Sequence, residues 1–343
     1  MGSAVSWPLA DNGYLVNLIG THLDGDIIRS CKKERFHPRL KRNIPDNVVP
    51  YYFEELESAL EGAAFIVSGV NSSGVRWVGQ ALAPYLRSDG RIICITKGLE
   101  ADEAGNLHIL PEVLSQELPV GIREKISIAA VGGPCIAGEL AGRRQSCVYF
   151  GAQEIETARA LADEFRTDYY HVWTTNDLEG LEIAVALKNA YALGIGMAAG
   201  FLEQSGGVDS AGAHMYNLAA ALFARACIEI HHLLEMQGLN TDFAYSLPGA
   251  GDMFVTSQAG RSVTLGKLLG EGKTLPEAKN LMAGETLEAA MIIQQMGRAL
   301  PEIFRKGLLK EDQLPFMRLL VDIIVHEKQA DIQLDNFFEH IEI

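Results

Sequence analysis

Glu182-Ile-Ala-Val-Ala-Leu-Lys188-Asn189-Ala-Tyr-Ala-Leu-Gly-Ile-Gly-Met-Ala-Ala199 is the stretch on which the reading of this chain turns. Beyond Glu182 it is apolar or small except at Lys188 and Asn189. The run from Ile183 to Leu202 has the length of a membrane span, but a lysine and an asparagine in its middle argue for a buried core helix instead. A buried ammonium is costly unless it is paired. Burial also lowers its pKa, which makes a lysine a usable proton donor near neutral pH. The competing reading is a lysine whose stem lies on the helix while its amine reaches water.

Upstream of this helix the pattern is different. Tyr14–Gly20, Ala63–Val70, Arg91–Thr96, Lys125–Val131 and Ser146–Phe150 are short apolar runs of strand length. Between them lie amphipathic stretches such as Glu54–Leu60 and Val75–Leu86. Uninterrupted apolar strands alternating with helices imply a doubly wound (Rossmann-type) α/β sheet, buried on both faces. After about Asn176 helical spacing dominates, punctuated by Gly206-Gly207, Pro248-Gly249-Ala-Gly251 and Gly270-Glu-Gly272. The expected organisation is therefore a nucleotide-type domain over residues 1–175 and an all-helical domain over 176–343.

The 343 residues suffice for two cores, and a composition 48% hydrophobic and 21% charged is globular. A net charge of −15, with no basic stripe beyond Arg29–Arg35, argues against nucleic-acid binding. The five cysteines are scattered without a CxxC pair, and the nine histidines show no HExxH spacing. Neither a disulfide framework nor a metal site is expected, and a reducing cytoplasm fits.

A dinucleotide-binding sheet opens with a strand followed by G-x-G-x-x-G. Here Met1-Gly2-Ser3-Ala4-Val5-Ser6 already reads as the start of the first helix, which Asp11-Asn12-Gly13 stops. The expectation is a βαβ unit without its first strand, with Gly2 as the third fingerprint glycine. Both neighbours of that strand would then lack a ladder partner.

Three further segments join Lys188. Thr96-Lys97-Gly98 follows a strand at the edge where such sheets bind ligands. Gly249-Ala-Gly251-Asp252 is a glycine-rich turn holding an acid that also suits a helix cap. Thr256-Ser-Gln-Ala-Gly260-Arg261-Ser262 offers hydroxyls and a guanidinium suited to a phosphate. Together with Gly133-Pro134-Cys135-Ile136-Ala137-Gly138-Glu139-Leu140-Ala141 and Ala186-Leu187-Lys188-Asn189, these segments resemble the NAD(P)-dependent glycerol-3-phosphate dehydrogenase family over essentially the whole chain.

The resemblance implies that Lys188 exchanges the proton at the substrate's C2 oxygen, Asp252 holds the amine and Lys97 polarises the carbonyl. It implies substrate contacts at Asn189, Thr256, Arg261 and Ser262. Cofactor contacts are implied at Gly2, Ser3, Thr21, His22, Ser72, Ala137, Glu139, Arg261 and Glu285. The reaction implied is reduction of dihydroxyacetone phosphate to sn-glycerol 3-phosphate, feeding glycerophospholipid synthesis in a cytoplasmic homodimer. Hydride arriving at C2 leaves an alkoxide, which nearby cations stabilise.

The chain departs from the family pattern at Ser262, where asparagine is usual. It departs again at Met282-Ala283-Gly284-Glu285 and at Ala219 after Asn217. Gly20-Thr21-His22 carries no acid for a ribose 2′-hydroxyl, which leans toward NADP over NAD, with Thr21, His22 and Arg29 as phosphate contacts and Asp24 a late candidate for the acid role. The rival readings are a related two-domain reductase of another keto or hydroxy acid, and a non-catalytic descendant.

Overall fold

The computed structural model describes residues 1–338. The chain divides into two compact units, one formed by Met1–Thr96 and Leu110–Leu178, the other by Lys97–Ile109 and the residues from Glu179 onward.

The strands are β1 (Val16–Ile19), β2 (Phe36–His37), β3 (Arg42–Asn43), β4 (Val48–Tyr51), β5 (Ile66–Ser68), β6 (Arg91–Cys94), β7 (Leu99–Ala101), β8 (Leu107–Ile109), β9 (Ser127–Gly132), β10 (Ser146–Ala152) and β11 (Tyr170–Thr175). In the first unit, β11-β10-β9-β6-β5 form one sheet and β1-β4 another. The central strands read as expected: Ile92, Ile93, Ala129, Ala130, Val148 and Phe150 are fully buried, as strands covered on both faces require. Three features differ from the expectation. β10 runs antiparallel to β9, so the sheet is mixed; an apolar run reports burial, not direction. β4 carries Pro50, which a strand tolerates only at an edge, and β4 pairs with β1 alone. β11, Tyr170-His-Val-Trp-Thr-Thr, has no apolar run to announce it, yet it pairs in parallel with β10 over six residues.

β1 and β5 share no neighbour. Their partners are β4 and β6, and both strands line one cavity of about 860 Å³. Gly2 and Gly69 meet in that cavity, where a Cβ on Gly69 would sit 2.6 Å from the Gly2 Cα.

The second unit is built on the helix Leu178–Gln204, apolar around its whole circumference and therefore buried as a core helix. The most apolar window of this helix is 83% buried within the protein. The helix Arg261–Gly270 crosses it at backbone contact distance: a Cβ on Gly200 would lie 2.2 Å from the Lys267 carbonyl oxygen, and one on Gly266 1.9 Å from that of Leu193. Only glycines permit this approach, and it seats the start of the second helix beside the first. The hairpin β7–β8 is fastened to the helix Glu288–Arg305, where Ala101 N–H donates to Gln295 Oε1 (3.0 Å) and Lys306 Nζ donates to the Ala104 carbonyl (2.6 Å). That fastening fixes Lys97, at the foot of β7, within the helical unit.

Candidate active site

Lys188 lies near the middle of the long helix and is 4% exposed. Its ammonium donates to Asp252 Oδ1 at 2.9 Å and to Thr256 Oγ1 at 2.5 Å. A π-helical turn, Leu247–Gly251, delivers Asp252 to the first position of the helix Asp252–Gln258. Thr256 is one turn further on, and the i,i+4 spacing puts both acceptors on one face, toward the amine. Lys97 Nζ donates to the other oxygen of the same carboxylate. One buried carboxylate thus holds two ammonium groups from distant parts of the sequence.

Electrostatics follow from this packing. Burial pulls the Lys188 ammonium down to about 8 from its ordinary 10.5; the Asp252 carboxylate opposes the shift and the Lys97 charge adds to it. An amine in that range can both give and take a proton near neutral pH.

Asn189 and Ser262, both under a tenth exposed, make no side-chain hydrogen bond among the described residues, leaving an amide and a hydroxyl uncommitted beside the cluster's elements. Arg261 opens the helix Arg261–Gly270 and is committed: its guanidinium donates to both oxygens of Glu288 (3.1 and 2.9 Å) and stands 3.8 Å from Glu285. The structure therefore brings together Lys97, Lys188, Asp252 and Thr256, and separately Arg261 with Glu285.

The other expected cofactor residues lie in the first unit. Gly2 is in the cavity against Gly69, and Ser3 Oγ is 3.0 Å from His37 Nε2. Ser72 opens a 3₁₀ turn just after β5, and Ala137 and Glu139 form the first turn of the helix Ala137–Ala141. Thr21 spends both its donors on Asp24 Oδ2, N–H at 3.0 Å and O–H at 2.6 Å. His22 packs edge-on against Trp77, and Arg29 pairs with Asp26 on an exposed helix face. Gly20 and Gly69 follow the last residues of β1 and β5 with bare backbone, and both line the cavity between those two strands.

Sequence reading missed two groups. Glu182, six residues before Lys188, is 1% exposed and neither carboxylate oxygen has a hydrogen-bond partner. Burial pushes its pKa well above the usual carboxylate range, with only the Lys97 charge opposing, so it is held as the neutral acid. An acid in an otherwise apolar helix was the available signal. Arg39, on the turn between β2 and β3, lines the cavity and carried no motif.

Comparison with known proteins adds to this geometry. Two family models match, the N-terminus of NAD-dependent glycerol-3-phosphate dehydrogenase over residues 1–158 and its C-terminus over residues 177–335. An NADP(+)-dependent glycerol-3-phosphate dehydrogenase from Archaeoglobus fulgidus is 36% identical over 81% of this chain and 79% of its own length. A glycerol-3-phosphate dehydrogenase [NAD(P)+] from Bacillus velezensis is 32% identical over 80% and 75%. Among solved structures, glycerol-3-phosphate dehydrogenase from Coxiella burnetii superposes with a TM-score of 0.77 at 23% identity, covering 95% of this chain and 92% of that one, a likeness of fold.

Proposed function

Because the chain belongs to the NAD-dependent glycerol-3-phosphate dehydrogenase family, we propose that it reduces dihydroxyacetone phosphate to sn-glycerol 3-phosphate with NADPH or NADH, and catalyses the reverse reaction. The observation that carries this reading is the buried ammonium of Lys188, held by Asp252 and Thr256 with a second ammonium on the same carboxylate.

When bound, the reduced nicotinamide supplies the hydride that adds to C2 of the substrate. The residues of this chain manage what that addition creates. Negative charge develops on the C2 oxygen, and the half-buried Lys97 and buried Lys188 provide two positive charges beside it. Lys188 gives a proton from Nζ to that oxygen, the C2 alkoxide becomes a hydroxyl, and the amine is left neutral. Asp252 keeps the amine in place through both states, and Thr256 Oγ1 accepts a second of its hydrogens. In the reverse direction the neutral amine takes the hydroxyl proton. A pKa lowered to about 8 suits both directions.

Asn189 and Ser262 are proposed to hold the substrate with their uncommitted groups, and Arg261 to turn from Glu288 onto the substrate phosphate or the cofactor. Gly2, Ser3, Thr21, His22, Ser72, Ala137 and Glu139 are proposed on the dinucleotide side, and Glu285 with Arg261. Cytoplasmic residence is supported by five free cysteines, and a homodimer is proposed, to be checked by light scattering. The product feeds glycerophospholipid synthesis.

The test is oxidation of NADPH and NADH by the purified chain with dihydroxyacetone phosphate. Substrate-dependent oxidation supports the reading. Oxidation with an unphosphorylated 2-keto acid but not with dihydroxyacetone phosphate overturns it in favour of the related reductases.

A further inference from the structure

The helix that carries Lys188 also carries a buried acid to which proton transfer gives no task. Glu182 lies near the start of that helix and is 1% exposed, and neither of its carboxyl oxygens has a hydrogen-bond partner among the described residues. Its neighbours Leu181, Ile183, Ala184, Val185 and Ala186 are fully buried. A polar side chain buried without a partner lowers stability, and each such group in a folded protein calls for a reason. A leucine of similar size would remove the penalty.

The charge that reaches Glu182 is the Lys97 ammonium. Both residues belong to the helical unit. Lys97 enters it at the foot of β7, whose hairpin is fastened to the helix Glu288–Arg305, so its ammonium moves by rotation of the side chain alone. As the site stands, Lys97 donates to Asp252 Oδ2 while Lys188 donates to Oδ1 of the same carboxylate. A carboxylate bonded to Lys97 offsets the positive charge that the C2 oxygen needs. A neutral carboxyl accepts a hydrogen bond through its C=O and leaves that charge intact. Burial keeps Glu182 in the neutral form.

We propose that Glu182 is a positioning residue that acts through Lys97: when the Lys97 ammonium turns from Asp252 toward the C2 oxygen of the substrate, the Glu182 carboxyl oxygen accepts a second of its hydrogens and holds it there. Asp252 is then left to Lys188 alone. No proton changes hands in this step: Glu182 keeps its own and Lys97 keeps all three. The inference rests on the dehydrogenase reading for the identity of the reaction.

The test is a double-mutant cycle. Single-turnover oxidation of NADPH by dihydroxyacetone phosphate, with enzyme in excess so that slow variants are still read, is followed for the wild type, Glu182→Gln, Glu182→Leu, Lys97→Ala and the Lys97→Ala/Glu182→Leu pair. Glu182→Leu is expected to slow the wild type roughly 10- to 100-fold, the worth of a hydrogen bond to a charged group, with KM little altered. Glu182→Gln, whose amide oxygen accepts in the same way, should stay within about threefold of the wild type. With Lys97 already replaced by alanine, Glu182→Leu should change the rate by less than about twofold, because the group it acts through is gone. Thermal melting should find the Glu182→Leu variant at least as stable as the wild type. A wild type inactive toward dihydroxyacetone phosphate removes the dehydrogenase reading and this inference together. With an active wild type, an equal loss from Glu182→Leu in the presence and absence of Lys97 overturns the inference alone. So does a Glu182→Leu variant as fast as the wild type, a Glu182→Gln variant as slow as Glu182→Leu, or a Glu182→Leu variant that melts well below the wild type, since the carboxyl would then be holding the fold.

Discussion

The two ends of the chemistry are built on different principles. In the helical unit, Lys97, Lys188, Asp252 and Thr256 are already joined by hydrogen bonds and are buried or half-buried. In the sheet unit, β1 and β5 have no common neighbour, the cavity between them is open, and Arg39 has donors to spare. Proton transfer demands preorganisation, since a group misplaced by an ångström loses most of its effect. Cofactor capture can leave its donors waiting on loops. Damage to the first region should thus appear in turnover, and damage to the second in binding.

The strongest test of that division is Lys188→Ala. Loss of a general acid is expected to lower kcat by roughly 10²- to 10⁴-fold, while the dissociation constant for NADPH, read by fluorescence titration, stays within about threefold. A comparable loss in NADPH affinity would erase the distinction between the regions. Asp252→Asn comes next. It leaves two ammonium groups without their shared counter-charge, and a chemical melt should show a loss of about 3–5 kcal/mol, the usual cost of orphaning a buried charge. An unchanged melt would mean that the carboxylate is not holding the lysines.

Arg261→Ala should act mainly on the substrate end, raising KM for dihydroxyacetone phosphate roughly tenfold with kcat little altered. The arginine must leave Glu288 to bind a phosphate, so Glu288→Gln should lower KM instead. If neither change moves KM, the arginine has only a structural partner.

The smallest effect belongs to Glu182→Gln. Burial raises the folded-state pKa of Glu182, so the stability this group contributes is present in full below the ordinary 4.5 and is lost as pH rises toward the raised value. Glutamine does not titrate. The variant should match the wild type within about 1 kcal/mol near pH 4 and gain on it steadily toward neutrality. A difference independent of pH would show that Glu182 is not the neutral acid that its surroundings impose.

These contrasts also explain what could be read in advance. The Ala186-Leu187-Lys188-Asn189 helix, Asp252 and Thr256 were legible because each lies in a short motif that resembles the family's, and short motifs survive in one dimension. That Lys97 belongs with the helices was not legible: it follows β6 directly, and only the fastening of β7–β8 to Glu288–Arg305 moves it across. The direction of β10 was hidden because apolar runs are blind to polarity of pairing. β11 was hidden because His171, Trp173 and Thr174 dilute its apolar content. Arg29 pairs with Asp26, one turn back on its own helix, whereas the Trp77 ring beside His22 is brought there by tertiary packing. Arg39 lay beyond any local motif, since its place depends on a hairpin pinned through His37.

The central claim is that burial makes the Lys188 amine a proton donor tuned to neutral pH. The direct measurement is kcat/KM for dihydroxyacetone phosphate reduction at saturating NADPH, followed from about pH 6 to about pH 10. The account predicts a fall governed by a single ionisation with pKa about 8, as the ammonium loses the proton it must donate. A rate that stays level through pH 9 would contradict it.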